Sequence, residues 1–563
     1  MIVLGIHVGH DSAVALVKDG IVIAEASEER FVEIKHYAGL PINALDFCLK
    51  YAGISIKNID ILAIAGKHNN ISDLDILFNF KRLRTYPTVK RRFIEFFQRV
   101  TGIYRRREPP IYLRKFPVRH DIEIVHVEHH LAHAASAYYT SGISSKALII
   151  TSDGIGDGVS LAIWRGVDGK IEPLYKVGSE GSLGWFYAAV TEALGWWAGD
   201  GEGKTMGLAP YGSFTKTKGI LDKFTPHFSN GKLIEPHDFR KPSGWPEKGA
   251  YHWHLPDSLE IKRLINKFGR ENIAAEAQRV LEDEMSDVIF SWLEREGVRN
   301  LCCAGGVFLN VKLNQKIWYS RKLDRHHIFP NSGDGGLAVG AALYTYYNYT
   351  KDKTIHPINH VYWGPEFTDN DIENILKGRN LTYKYYDDIC GQTAKLLAQG
   401  KIIGWFQGRM ESGPRALGNR SILMSADRLE NKDIINSRVK FREAFRPFCP
   451  SILFEVAGDY LVNHREEPFM ITAFDVRDEV RDKIPAVVHV DGTVRPQTVR
   501  RIVNQKYWEL IKDFTNLTGI PVLLNTSFNI KGDPIICNPR QALRCFYDTG
   551  LDILVMGNFM LIK

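Results

Sequence analysis

Two similar stretches, about 145 residues apart, constrain the fold of this chain more than any other feature. In the first, residues 2–6 and 13–17 are apolar and flank a polar, glycine-containing turn at 7–11. Asp19-Gly20 then predicts a tight hairpin turn into a further apolar run at 21–26. The pattern predicts three successive short strands at the start of the chain.

The same pattern returns near residue 147. Residues 147–150 and 160–164 read as strands around a Gly/Asp loop at 152–158, and Asp168-Gly169 is a second hairpin turn. Two such units indicate an internally duplicated α/β domain. Actin-like nucleotide-binding folds use paired hairpin loops of this kind to wrap phosphates from two sides. The alternative is two unrelated hairpins.

The 563 residues are enough for several units, each with its own core. Residues 271–296 read as one long helix with its apolar residues on the core face, and residues 348–382 read as a polar linker. A second α/β unit follows the linker and ends with a strand at 553–556. We therefore predict two domains, spanning residues 1–355 and 380–563.

Charge and cysteine content restrict the function classes. The net charge is +7, but residues 81–120 contribute +11 with thirteen Lys/Arg and two Glu, so the basic character is local, in an insertion at about 75–120. That pattern does not fit a protein that coats nucleic acid. No apolar run is long enough to span a membrane, and residues 1–12 lack the features of a signal peptide. Seven cysteines without a C-x-x-C motif suit reduced thiols and a cytoplasmic location.

The sequence EHHLAH contains a candidate metal site. His129 and His133 are four residues apart on a predicted helix, so they share a face and can bind one ion, whereas His130 points away and is interpreted as structural. Two histidines alone do not fill the coordination positions of a metal ion. The candidates for the remaining ligands are Asp153 and Asp334, which lie in Gly-rich loops. The sequence contains no H-E-x-x-H motif, so it does not indicate a zinc protease. A structural role for the His pair is the alternative.

Two glycine-rich stretches are candidates for nucleotide contact. GEGKT resembles a phosphate-binding loop, but the position of its first glycine holds Ala198 and no strand precedes it, so we reject that motif while keeping Lys204 as a possible anion contact. Gly305-Gly306 follows a predicted strand and would let a flat ring approach the backbone. A tight turn explains the glycine pair equally well.

The C-terminal unit is rich in arginine set among Gly, Pro and Phe with few acids. Guanidinium groups in such surroundings predict an anion pocket for phosphate or carboxylate, and buried salt bridges are the alternative. The candidate residues are Arg415, Arg420, Lys440, Arg442, Arg446, Arg495, Asn525, Ser527 and Asn529.

These stretches together resemble the NodU/CmcH-type O-carbamoyltransferases of nodulation-factor and antibiotic biosynthesis. The matching segments run in order along the chain: GHDSAVALVKDG, EHHLAHAASAYYTSG, TSDGIGDG, EGKTMGLAPYG, CAGGVFLN, SGDGG, ESGPRALGNRS, FREAFRPF, HVDGTVRPQT and NTSFNIKGDP.

The resemblance implies an α/β protein with a duplicated actin-like, RNase H-like (ASKHA) domain followed by a YrdC-like α/β domain. In such enzymes carbamoyl phosphate and ATP would form carbamoyl adenylate in the C-terminal domain. The carbamoyl group would then pass to a hydroxyl acceptor in the N-terminal domain. A closed passage between the sites would protect the activated species from water.

The resemblance also implies roles for individual residues. A divalent ion, expected to be Fe²⁺, would be held by His129, His133, Asp153 and Asp334, while Mg²⁺ would accompany ATP. The candidate catalytic residues are His10, as general base, with Asp11 and Arg446. The nucleotide in the transfer domain would contact Lys204, Gly305, Gly306 and Asn310, and the C-terminal candidates above would bind carbamoyl phosphate and ATP.

Two other functions remain open at this point. A tRNA-directed threonylcarbamoyl enzyme has relatives of both domains, and residues 81–120 would then be its RNA contact. The other alternative is a non-catalytic, actin-like nucleotide sensor or scaffold. The acceptor could be a sugar, a macrolactone, a guanidine toxin or an aminoglycoside, and residues 213–258, with Trp245 and Trp253, are candidates for its site. The sequence does not predict an oligomeric state.

Overall fold

The structure is a computed structural model that describes residues 1–66, 122–239 and 242–563. The basic segment 81–120 and the expected insertion at about 75–120 lie outside the described residues.

The strands and helices follow in chain order. The strands are β1 (Ile2–His7), β2 (Ala13–Lys18), β3 (Ile21–Ser27), β4 (Ile61–Ala65), β5 (Glu123–Val127), β6 (Ala147–Gly156), β7 (Val159–Val167), β8 (Lys170–Gly178), β9 (His227–Ser229), β10 (Lys232–Glu235), β11 (Ser243–Glu247), β12 (Ala250–His254), β13 (Asn300–Ala304), β14 (Arg325–Ile328), β15 (Lys384–Tyr385), β16 (Ile403–Phe406), β17 (Arg420–Ser425), β18 (Cys449–Leu453), β19 (Phe474–Asp475), β20 (Thr493–Val494), β21 (Gln497–Val499), β22 (Val522–Ser527), β23 (Ile553–Met556) and β24 (Phe559–Ile562). The α-helices are Glu29–Val32, Ile42–Tyr51, His129–Tyr139, Leu183–Ala193, Glu202–Leu208, Asp257–Phe268, Arg270–Glu296, Val311–Tyr319, Leu337–Thr350, Asp369–Gly378, Ile389–Ala398, Glu430–Ile435, Ala457–Tyr460, Gln505–Thr518 and Pro539–Asp548.

Two five-stranded sheets have the same topology. Their strand orders are β3-β2-β1-β4-β5 and β8-β7-β6-β13-β14. In each, the first three strands along the chain are antiparallel and the last two add in parallel. This repeated order is the actin-like, RNase H-like arrangement, so the predicted duplication is confirmed.

The hairpin turns form where the Asp-Gly pairs predict them. Asp19-Gly20 and Asp168-Gly169 both adopt positive φ values, which suits the turn that joins two right-handed twisted strands. The predicted loop 152–158 is largely strand, since β6 continues to Gly156 and turns only at Asp157-Gly158. Its pairing with β7 is irregular between Ser152 and Gly156, and this irregularity accommodates the Gly/Asp residues within a strand.

Two helices pack together between the duplicated sheets and bring distant loops together. A Cβ on Gly340, in the helix Leu337–Thr350, would lie 1.8 Å from the carbonyl oxygen of Ala132 in the helix His129–Tyr139. A Cβ on Gly5 of β1 would lie 2.0 Å from the carbonyl oxygen of Ala338. Only glycine permits these approaches, which hold the N-terminal ends of both helices beside the sheets.

The C-terminal domain is built on an eight-stranded sheet of order β15-β24-β23-β16-β17-β22-β18-β21. One face packs against the helices Ile389–Ala398 and Gln505–Thr518, and the other against Pro539–Asp548. The helix Asp369–Gly378 lies inside the predicted linker and buries Ile372 and Leu376 in this second core. We therefore infer that the C-terminal domain begins near Asp369, earlier than the predicted boundary at 380.

The long helix is confirmed as Arg270–Glu296, and Gly297 ends it in the left-handed conformation. Its predicted core residues are all buried. Within the described parts of the chain, every helix is too short or too polar to cross a membrane.

Candidate functional site

Four side chains from three separate segments meet in the N-terminal domain. His129 and His133 lie in the first two turns of a helix that follows β5, Asp153 lies near the end of β6, and Asp334 lies between β14 and the helix Leu337–Thr350. All three segments lie at the carboxyl ends of strands of the duplicated sheets, where ligands bind in open α/β sheets. The residues predicted as metal ligands are therefore brought together.

The spacing of this cluster fits one metal ion. Nε2 of His133 lies 3.1 Å from Asp153 and 3.6 Å from Asp334, and Nε2 of His129 lies 3.5 Å from each of the same carboxylates. One ligand atom from each residue falls within 4.8 Å of the others. Buried Nε2 of His129 has no hydrogen-bond partner, as expected of an atom that faces an ion. Two imidazoles and two carboxylates are a ligand set that several divalent metals accept.

The electrostatics of the cluster show strong mutual interaction. Burial lowers the pKa of His133, but its contacts with Asp153 and Asp334 outweigh burial and raise that pKa to about 9. Burial raises the pKa of Asp153, but the two imidazoles hold it well below its usual range. Burial likewise raises the pKa of Asp334, but His10 and His129 outweigh burial and lower it. Both carboxylates are therefore ionised and available as ligands.

His130 has the structural role that its helix position predicts. Its Nδ1 lies 2.9 Å from Oγ1 of Thr151 and its Nε2 lies 2.9 Å from the carbonyl oxygen of Val159. Burial lowers its pKa to about 3, so the ring is neutral. With both nitrogens occupied, His130 is not a metal ligand.

The first hairpin loop places His10 at the edge of this cluster. Nε2 of His10 lies 3.3 Å from Asp334, and about a third of its side chain is exposed. His7 is buried behind it, with Nε2 3.1 Å from the carbonyl oxygen of His10. Burial lowers the pKa of His7 to about 4, so it is a neutral support for the loop. His10 is the imidazole that can meet a substrate here.

Asp11 faces a charged network that the sequence does not reveal. Its carboxylate lies 2.8 Å from Nδ1 of His36, whose Nε2 lies 3.2 Å from Asp200, and Lys35 also pairs with Asp200. Burial lowers the pKa of His36, but Asp11 and Asp200 outweigh burial and raise it to about 10. Asp11 thus holds His36 in its charged form. Pairs more than 160 residues apart leave no local sequence signal.

In the C-terminal domain, three of the predicted residues form one contact. The buried ammonium of Lys440 donates to the carbonyl of Ser527 at 2.6 Å and to Oδ1 of Asn529 at 2.6 Å. Burial and the nearby Arg442 lower the pKa of Lys440 well below its usual range. Lys440 is the last residue of a short π-helix, Asn436–Lys440, a feature common at functional sites.

Four guanidinium groups gather beside this contact. Burial, together with Arg495 and Arg446, lowers the pKa of Arg415 to about 9, and burial with Arg446 and Arg495 lowers that of Arg442 to about 9. Among the described residues, this group makes one ion pair, the long 4.0 Å contact between Arg446 and Glu443. A bound anion would relieve this repulsion, so the geometry favours an anion pocket over salt bridges.

Three other predicted residues are engaged in holding the fold. Buried Arg420 donates to the carbonyl oxygens of Gln407, Gly408, Asn419, Pro365 and Cys537. Asn525 donates to Ala416 and Ser451. Asn310 caps the helix Val311–Tyr319 and pairs with Gln278. With its donors used, Arg420 is not free to bind an anion, and we omit it and Asn310 from the proposed ligand contacts.

Gly305 and Gly306 press against the Asp153 loop. A Cβ on Gly305 would lie 2.1 Å from the carbonyl oxygen of Ser152, and one on Gly306 would lie 3.0 Å from Oδ1 of Asp153. The positive φ of Gly305 permits this turn. In the structure the glycine pair therefore positions Asp153.

The two sites approach each other at the contact between the domains. Nζ of Lys204 lies 4.0 Å from Glu443, and the ring of Trp196 lies 5.8 Å from that of Phe445. Burial lowers the pKa of Arg446, and the charges of Glu443 and then Asp200 oppose that lowering. The network of Asp11, His36 and Asp200 thus extends from the His10 loop toward the arginine pocket.

An aromatic hairpin borders the other side of His10. The rings of Tyr251 and Trp253 lie 6.1 and 6.3 Å from the ring of His10. On the opposite face of the same hairpin, Trp245 stacks near His252. Tyr37 and Ala198 form bridges to the hairpin that fix it beside the His10 loop. The predicted acceptor segment 213–258 thus contributes an aromatic wall.

Comparisons with known proteins identify the family of both domains. A family model described as "Carbamoyltransferase N-terminus" matches residues 2–343, and one described as "Carbamoyltransferase C-terminus" matches residues 394–563. Nodulation protein NolNO of Sinorhizobium fredii is 36% identical over 98% of this chain and 79% of its own length. Nodulation protein NolO of Bradyrhizobium diazoefficiens is 36% identical over 78% of this chain and 79% of its own.

Among solved structures, component A of the (R)-2-hydroxyglutaryl-CoA dehydratase of Acidaminococcus fermentans is similar over 62% of this chain and 98% of its own. That likeness has a TM-score of 0.35 at 14% identity. The duplicated topology described above rests on the strand pairing of this chain.

Proposed function

The chain belongs to the carbamoyltransferase family, and from this premise we propose that it is an ATP-dependent O-carbamoyltransferase with two separate reaction sites. The observation that carries the proposal is the pairing of an acid-poor arginine pocket with a cluster of two His and two Asp. One site suits phosphorylated substrates and the other suits a metal ion. The two sites lie on domains that touch at Lys204 and Glu443.

In the first reaction, carbamoyl phosphate and ATP give carbamoyl adenylate in the C-terminal domain. One water molecule is consumed in this reaction, and phosphate and pyrophosphate are released. We assign the phosphate contacts to Arg415, Arg442, Arg446 and Arg495, whose guanidinium groups stabilise the charge that develops on the leaving phosphates. Lys440 donates to Ser527 and Asn529 and so holds these two residues beside the pocket.

Pyrophosphate exchange tests this reaction. The purified protein, given ATP and labelled pyrophosphate, should incorporate label into ATP only when carbamoyl phosphate is present. Absence of exchange with folded protein would contradict the adenylate mechanism while leaving family membership unaffected.

In the second reaction, an acceptor hydroxyl attacks the carbamoyl carbon in the N-terminal domain and AMP leaves. We assign His10 as the base, because it is the exposed imidazole at this site, and since its Nε2 faces Asp334 the hydroxyl proton would be taken at Nδ1. Asp334 orients that imidazole. A divalent ion, which we propose to be Fe²⁺, would be held by His129, His133, Asp153 and Asp334 and would polarise the carbamoyl oxygen. Mg²⁺ would accompany ATP.

Replacing His10 by asparagine separates the two reactions. His10→Asn should lower carbamoyl transfer by about 100-fold, since a positioned base contributes on that order. Pyrophosphate exchange should stay within about two-fold because His10 lies outside the arginine pocket. His227→Asn, which changes a histidine paired with Glu284 away from both sites, is the matched control. An equal loss of both reactions in His10→Asn would contradict the assignment.

We propose that the acceptor lies between His10 and the aromatic wall of Tyr251 and Trp253. Products from a panel of hydroxyl acceptors, detected by mass spectrometry, would identify a usable acceptor. With it, Trp253→Ala should raise the apparent KM at least about ten-fold, because a large aromatic contact is lost. Trp245→Ala removes the same ring from the opposite face of the hairpin and should change KM less than about two-fold. Equal effects of the two variants would place the acceptor elsewhere.

We place the reaction in the cytoplasm, where the seven free cysteines would stay reduced. The tRNA-directed alternative took residues 81–120 as its RNA contact, and these lie outside the described residues. The closed passage between the two sites stays a prediction. The charged network of Lys35, His36 and Asp200 extends from the His10 loop toward the arginine pocket, so substitutions in this network would test the passage.

A further inference from the structure

The thiol of Cys449 lies inside the arginine pocket. Arg495 donates to its sulfur from Nε at 3.0 Å and from Nη2 at 2.8 Å. The charge of Cys449 also raises the pKa of Arg415 and of Arg442, against the larger lowering by burial, so both guanidinium groups lie near the sulfur. Two hydrogen bonds from one guanidinium group therefore hold the sulfur at the place in the pocket where an anion would bind.

Unpaired polar atoms beside this sulfur indicate that the pocket takes a small polar ligand. Asn525 lies opposite Cys449 in the pairing of β18 with β22, so the two side chains share a face. Asn525 is 1% exposed and its Oδ1 has no hydrogen-bond partner. Nε of Arg415 is likewise buried without a partner. An unpaired donor and an unpaired acceptor next to one thiol are expected where a bound ligand supplies the missing hydrogen bonds.

The other six cysteines have different surroundings. Like Cys449 they are buried, but in the described part of the chain none of their sulfurs accepts a hydrogen bond from an arginine. Burial raises the pKa of each of these thiols above its usual value, which makes them unreactive. They are Cys48, Cys302, Cys303, Cys390, Cys537 and Cys545.

We propose that Cys449 is a site of reversible oxidation by a peroxide, and that its oxidation closes the anion pocket. The sulfur attacks one peroxide oxygen, the O–O bond breaks, and the other oxygen leaves as water after taking a proton. Sulfur is oxidised by two electrons to a sulfenic acid and the peroxide is reduced. A low-molecular-weight thiol reverses the step through a mixed disulfide.

The added oxygen lies where an anion would bind. As a sulfenate it accepts hydrogen bonds from Arg495 and Arg415, the donors that we assign to carbamoyl phosphate. Oxidation should therefore prevent the first reaction. This consequence rests on the proposed function, whereas the oxidation itself does not depend on which anion the pocket binds.

Trapping of the sulfenic acid tests the site. The full-length protein is treated with hydrogen peroxide and dimedone, and labelling is measured at all seven cysteines by mass spectrometry. Cys449 should be labelled at least about ten-fold faster than any other cysteine. Inorganic phosphate should slow its labelling at least about five-fold by filling the pocket. Equal labelling of several cysteines, or no protection by phosphate, would overturn the proposal.

A variant checks the origin of the reactivity. Arg495→Gln should slow labelling of Cys449 several-fold, while Arg501→Gln, at an exposed arginine paired with Glu509, should not. Equal labelling in both variants would overturn the role of Arg495. If Arg495→Gln does not fold, protection by phosphate in the unaltered protein decides the question.

The functional consequence is measured as a ratio. Peroxide should lower pyrophosphate exchange at least about ten-fold in the unaltered protein, and dithiothreitol should restore it. In Cys449→Ser the ratio of treated to untreated exchange should stay within about two-fold. Labelling of Cys449 without a fall in exchange would overturn the closing of the pocket. Absence of any exchange before treatment would instead contradict the proposed function.

Discussion

Replacing His133 by alanine should lower carbamoyl transfer by about 1,000-fold, the equivalent of about 4 kcal/mol. The change removes one of four ligand atoms, whose Nε2 lies 3.1 Å from Asp153 and 3.6 Å from Asp334. It also leaves two ionised carboxylates facing each other without that imidazole. Bound metal per folded molecule, measured by inductively coupled plasma mass spectrometry, should fall at least about ten-fold. Pyrophosphate exchange should stay within about two-fold.

His130→Ala is the matched control for this prediction. It removes a buried histidine from the same helix, with both ring nitrogens already bonded to Thr151 and Val159. We expect a loss of stability in thermal unfolding but an unchanged metal content per folded molecule. If His133→Ala keeps its metal, or if both variants lose it equally, the cluster does not hold the ion.

The duplicated fold could be predicted because its signals are local. Asp-Gly pairs at residues 19–20 and 168–169 have few conformations open to them, and both form the expected hairpin turns. The loop expected at 152–158 is instead strand up to Gly156, because pairing with β7 tolerates an irregular stretch. Composition alone does not reveal such an irregularity, since it depends on the partner strand.

The helix Asp369–Gly378 shows a signal that the polar texture of the linker hides. Thr368 and Asp371 form a capping box at its start, and Ile372 and Leu376 are spaced to share one face. The polar composition of residues 348–382 predicts a linker, whereas these two local signals predict a helix. The cap and the apolar spacing are together sufficient to predict the helix.

At the candidate site, residue type was easier to predict than side-chain direction. Arg415 and Arg420 belong to the same motif, yet Arg415 lies in the anion pocket and Arg420 binds backbone carbonyls. The directions of the two side chains depend on the residue at which β17 begins, and the pairing of the whole sheet determines that residue. Lys35 and His36 meet Asp200 across more than 160 residues, and only the folded domain brings them together.

Replacing Arg446 by alanine should lower carbamoyl phosphate-dependent pyrophosphate exchange by about 100- to 1,000-fold. Arg446 is partly exposed, so its guanidinium can meet a substrate, and its ion pair with Glu443 is long, at 4.0 Å. The loss should appear mainly in kcat if Arg446 stabilises the leaving pyrophosphate, and in KM if it only binds the ground state. Steady-state exchange kinetics separate these cases.

Arg438→Ala provides the matched control, since Arg438 is exposed, pairs with Asp552 and lies in the same segment. Its exchange rate should stay within about two-fold of the unaltered protein. Metal content should be unchanged in both variants, because the arginine pocket and the metal cluster lie in different domains. A joint loss of exchange and bound metal in Arg446→Ala would mean that the substitution disrupts the domain contact near Lys204, since Arg446 and the metal ligands share no direct contact. Retention of full exchange would instead remove Arg446 from the catalytic residues and leave the first reaction to Arg415, Arg442 and Arg495.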